Sequence, residues 1–176
     1  MLKKSALLVA SALLSMNLSA AQTTDAVDPE AASGFTAKTS VSADNYMVAA
    51  ANPLAVKAGY DVLKAGGSAI DAMVAVQAML GLVEPQSSGL GGGAFMVYYD
   101  AASKKVTTFD GRETAPMAAT PELFQDENGK PLKFYDAVVG GRSVGTPGTV
   151  KLMADLHARY GNQNWAKLLK PAQLTA

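Results

Sequence analysis

Leu54, Ala55, Ala58, Val62 and Leu63 recur at helical spacing, which predicts an amphipathic helix. Asn52-Pro53 opens it, because asparagine caps free N–H groups and proline suits a first helical position where no donor is missed. Gly66-Gly67 supplies a left-handed stop. From Ala69 to Val83 the chain is apolar except at Asp71, Gln77 and Gly81. A helix apolar on every side is expected to be buried among other elements, and Ser68 with Asp71 three residues on forms a capping pair. That run falls short of the roughly 20 apolar residues of a membrane span. Two β-prone runs, Ala94 to Tyr99 and Val106 to Phe109, flank the polar stretch Asp100 to Lys105 and predict a hairpin. A short strand is expected within Ser40 to Ala51, from Val41, Tyr46, Met47 and Val48. Thr146-Pro147 repeats the cap-then-proline opening, for a helix through Val150, Leu152, Met153, Leu156 and Tyr160 that Gly161 ends. A shorter helical piece from Trp165 to Leu169 runs into Pro171. Helices and a hairpin without a βαβ repeat indicate an α+β fold.

The amino terminus has a different pattern. Met1-Leu2-Lys3-Lys4 is a basic head, Ser5 to Leu18 is apolar, and Ser19-Ala20-Ala21 offers small residues where signal peptidase cuts. Residues 1–21 therefore read as a secretory signal. Residues 22–39 read as a loosely held leader, and 40–176 as the folded part, with export to the periplasm or beyond. The 176 residues allow one domain or part of a larger one.

Charge and composition narrow the chemistry. Fifteen Lys and Arg balance fifteen Asp and Glu, so no general field draws in nucleic acid or an acidic membrane surface. The absence of cysteine removes disulfides, thiolate nucleophiles and thiolate metal sites. The single histidine, His157, is expected on a helix surface, and no metal or organic cofactor is indicated.

Gly89-Leu90-Gly91-Gly92-Gly93-Ala94 matches G-x-G-x-x-G/A in form, but a dinucleotide site needs a strand before the glycines and a helix after them. Here the order is reversed, and no G-K-[ST] follows. On periodicity alone these glycines serve tight turning and close backbone packing.

The longer string V-E-P-Q-S-S-G-L-G-G-G-A-F-M from Val83 to Met96, with D-G-R-E-T-A-P from Asp110 to Pro116, resembles the large-subunit signature of the γ-glutamyltranspeptidase family. The likeness continues through Ala51 to Ala72 and Gly141 to Val150, so it covers nearly all of the chain beyond the leader. It implies part of an αββα N-terminal nucleophile hydrolase sandwich, made as an exported precursor that cleaves itself into a large and a small subunit. In such enzymes the freed threonine of the small subunit attacks the γ-glutamyl amide of glutathione and similar compounds. The acyl group then passes to water or to an amino acid or peptide acceptor.

Taken alone, Arg112 reads as half of a surface ion pair with Asp110 or Glu113. The resemblance instead implies that Arg112 binds the α-carboxylate of the γ-glutamyl group, for which the planar guanidinium is suited by two parallel hydrogen bonds. Glu113 is the expected orienting partner, and Ser87 to Gly93 is expected to support the pocket. The family's nucleophile sits in a Thr-Thr-His context, whereas Thr23-Thr24 precede Asp25 and Thr107-Thr108 precede Phe109. The chain is thus expected to be an incomplete part of an active enzyme, inactive alone. The alternatives are an inactive remnant or binding protein, and a family member that acts on other acyl amides.

Overall fold

The computed structural model describes residues 37–176. The signal segment 1–21 and most of the leader 22–39 lie outside the described residues. Helix α1 spans Pro53–Lys64, α2 Ala69–Val83, strand β1 Ala94–Asp100, strand β2 Lys105–Gly111, the short helix α3 Phe134–Val138, α4 Thr149–Tyr160 and α5 Trp165–Thr175. Both predicted caps form. The Asn52 side chain accepts the Leu54 N–H at 2.9 Å. At the start of α2, Ser68 Oγ accepts the Asp71 N–H at 3.1 Å while the Asp71 carboxylate accepts the Ser68 N–H at 2.8 Å. Gly66 adopts φ +83°, the left-handed stop after α1.

Helix α2 is the axis of the core. One side packs Ala75 and Met79 against Ala55 and Ala58 of α1, where small side chains let the two helices approach closely. Another places Ile70 against Leu152 and Leu156 of α4 and against the inner face of the hairpin, Ala94, Met96, Tyr98 and Phe109. A third sets Val74 against Met153 of α4 and Leu168 of α5. Helix α2 buries Ile70, Asp71, Ala72, Val74, Ala75 and Met79, most of its other residues are half-buried, and Ala69 and Leu82 remain exposed. Among the described residues no helix is long and apolar enough to cross a membrane.

The hairpin is antiparallel, with Met96 opposite Phe109 and Ala94 opposite Gly111. Its outer face presents Phe95, Val97 and Tyr99 to solvent. The turn is held by Asp100, whose carboxylate accepts the N–H groups of Ala102 and Ser103.

Four expectations need correction. Residues 40–51 form no strand among the described residues, because a strand needs a pairing neighbour and the described sheet is the two-stranded hairpin alone. Thr146-Pro147 does not open α4; Gly148 is the residue before its first turn. Helix α5 does not stop at Pro171 but continues to Thr175. Packing of Leu168 and Ala172 holds that helix against α2 and α1 despite the missing N–H. His157 is not a surface histidine: its side chain is 19% exposed, with Nε2 2.8 Å from the Gln163 carbonyl oxygen and the ring edge-on to Trp165.

Candidate functional site

β2 ends where the backbone of Arg112 turns back on the strand, its N–H donated to Asp110 Oδ1 at 2.9 Å. This turn carries the next residues off the sheet and toward α4. Thr114 and Thr146 then exchange both backbone hydrogen bonds, at 3.2 and 2.8 Å, which ties the segment after β2 to the approach to α4. The carbonyl oxygen of Gly92 accepts from Gly148 N and Thr149 N, each at 3.1 Å. The glycine-rich loop thus supplies an acceptor to the free N–H groups at the start of α4, in place of a side-chain cap.

Close backbone approach explains two of the glycines. A Cβ on Gly93 would lie 2.7 Å from Arg112 Cα and from Glu113 N, and one on Gly148 would lie 2.1 Å from the Gly111 carbonyl oxygen. Neither gap admits a methyl group, so loop, strand end and helix start interlock around residues 111–113. The loop is anchored behind by Gln77 Nε2, which donates to Ser88 Oγ at 2.7 Å, and by the Ser87 and Ser88 N–H groups on the Glu84 carbonyl oxygen.

Three hollows meet at this junction. One of about 380 Å³ runs between β2 and α4, and both Arg112 and Arg159 are among the residues that line it. A second, also about 380 Å³, lies between the glycine-rich loop and Glu113. A third, about 470 Å³, is lined by both Arg112 and Glu113 together with Gly91, Ser143 and Gly145. Arg112 is exposed. Among the described residues its guanidinium forms no ion pair with Asp110 or Glu113. The surface ion pair suggested by the local sequence is therefore not formed, and Glu113 does not orient Arg112 by direct contact within the described residues. Thr107 and Thr108 lie inside β2, paired opposite Tyr98 and Val97, and neither is at a chain start.

Behind the site, Asp71 is fully buried. Burial alone would raise its pKa, but N–H donation from Ser68, Asn162 and Gln163 and the Ser68 hydroxyl outweigh it and hold the carboxyl below the usual carboxylate range. Through Asn162 N, at 3.1 Å, Asp71 ties the α4–α5 turn to the cap of α2. The convergence of Gly145 and Gly148 on residues 111–113 and the lining by Lys151 and Arg159 were not among the expected site features. The G-T-P-G stretch held the signal for the first, since two glycines around a proline suit close backbone passage.

A sequence model described as gamma-glutamyltranspeptidase matches residues 55–176. The chain is 48% identical over 126 residues to the glutathione hydrolase proenzyme of Bacillus subtilis (strain 168), covering 72% of this chain and 22% of that protein. Among solved structures it matches gamma-glutamyltranspeptidase of Helicobacter pylori with a TM-score of 0.71 at 34% identity, over 76% of this chain and 38% of that one. It also matches cephalosporin acylase from Bacillus halodurans, with a TM-score of 0.66 at 34% identity, over 85% of this chain and 27% of that one. The chain belongs to the γ-glutamyltranspeptidase family. Its α+β architecture is part of the N-terminal nucleophile hydrolase sandwich, and it spans about a fifth of the length of the curated relatives it matches.

Proposed function

We propose that this chain works as part of an exported, self-processed γ-glutamyl enzyme that hydrolyses glutathione and transfers its γ-glutamyl group to amino acid or peptide acceptors. Arg112 binds the α-carboxylate of the donor, and the nucleophilic threonine comes from the small subunit of the same precursor. The observation that carries the reading is Arg112 itself: an exposed guanidinium at the meeting of two hollows, without an ion pair among the described residues, on a backbone locked by the Gly93 and Gly148 contacts. A fixed fork of donors can hold a carboxylate bidentately and so fix where the γ-amide lies relative to the nucleophile.

In the complete, processed protein, Arg112→Lys keeps the charge but loses the fork. KM for γ-glutamyl substrates should rise about tenfold or more, the loss of one charge-assisted hydrogen bond, and Arg112→Gln should raise it further. An unchanged KM in both variants rejects the assignment. A second reading, a family member that cleaves other acyl amides, is favoured by the match to cephalosporin acylase. Comparing kcat/KM for a γ-glutamyl amide and a glutaryl amide without the α-amino group separates the two: a strong preference for the first supports the γ-glutamyl reading.

A further inference from the structure

Arg112 does not stand alone in the hollow between β2 and α4. Arg159 lines it too, with its guanidinium carbon 5.9 Å from the centre of the Phe109 ring, a separation at which the ring face attracts and orients a cation. Asp155, one turn before Arg159, would be its ordinary partner on the helix. Asp155 pairs instead with Lys151, one turn further back, and among the described residues Arg159 forms no ion pair. The remaining acidic side chain of the hollow, Asp110, accepts the Arg112 backbone N–H. Two arginines that form no ion pair among the described residues thus line one hollow.

Two cations that share one hollow suit a ligand with two carboxylates, since each planar guanidinium can hold one of them bidentately. A volume of about 380 Å³ lies within the range of small-ligand pockets, roughly 300–1,000 Å³.

We propose that Arg159 is a specificity residue that binds a second carboxylate, on the leaving-group side of the donor, and so favours γ-glutamyl peptides with a free carboxyl end over γ-glutamyl amides without one. This inference rests on the assignment of Arg112 to the α-carboxylate.

The test uses the complete, processed enzyme with two donors: glutathione, whose leaving group ends in a carboxylate, and a γ-glutamyl anilide, whose leaving group has none. Arg159→Gln should raise KM for glutathione about tenfold, the loss of one charge-assisted contact, while KM for the anilide changes less than about twofold; Arg159→Lys should recover part of the difference. Because Arg159 is exposed, unchanged melting temperatures are expected for both variants. An unchanged KM for glutathione, or an equal rise for both donors, overturns the proposal. Arg112→Lys distinguishes this failure from that of the underlying reading. If it raises KM for both donors while Arg159→Gln raises neither, Arg112 keeps its role and the Arg159 proposal alone is rejected. If Arg112→Lys raises neither, the α-carboxylate assignment fails, and the proposal falls with it.

Discussion

Thr149 begins α4 almost fully buried, and its hydroxyl has no hydrogen-bond partner among the described residues. A buried hydroxyl left unpaired keeps its desolvation cost without a compensating bond. Thr149→Val, of nearly the same shape, is therefore expected to be neutral or to stabilise by up to about 1 kcal/mol, read as an unchanged or higher melting temperature. A clear drop would mean that the hydroxyl is paired in the complete protein. At Arg112 the local sequence alone favoured a surface pair with Asp110 or Glu113. Asp110 instead accepts a backbone N–H, a use of the carboxylate that neighbouring charges do not reveal.

At the scale of elements, the caps were legible because they are local: Asn52-Pro53 and Ser68 with Asp71 each act within one turn. The second task of Asp71, accepting from Asn162, was not legible, since it joins residues 91 apart in the chain. That dual use yields a pH prediction. The folded-state pKa is depressed, so the contribution of Asp71 is complete above its unfolded value, near 3.9, and is lost as pH falls through the lower folded value. Asp71→Asn should cost about 2 kcal/mol at neutral pH. It should also remove part of the fall in stability below about pH 4, measured by denaturant unfolding from pH 3 to 7. Parallel pH curves for the two proteins would reject this account of Asp71. The misread ends of α4 and α5 have a related cause: proline rules describe an isolated helix, whereas Leu168 and Ala172 hold α5 through Pro171 by packing on its neighbours.

For the whole molecule, the site depends on three segments passing at backbone distance. Gly148 is the tightest point, where a Cβ would lie 2.1 Å from the Gly111 carbonyl oxygen. Gly148→Ala must push α4 away from the end of β2, at a cost of about 1–3 kcal/mol. It should lower the melting temperature and, in the processed enzyme, raise KM for γ-glutamyl donors through displacement of Arg112. A stable variant with normal KM would show that this contact does not position the arginine.

The sequence by itself determined the two long helices with their caps, the hairpin, the α+β class and the family, because these rest on residues close together in the chain or on strings read in order. Tertiary structure alone decided what surrounds Arg112, which carboxylates leave it unpaired, and that Arg159 lines the same hollow. The physical reason is that these depend on where residues 92, 111–113 and 145–159 meet. Such a meeting is set by packing of α2 against every other layer, and no local pattern of side chains encodes it.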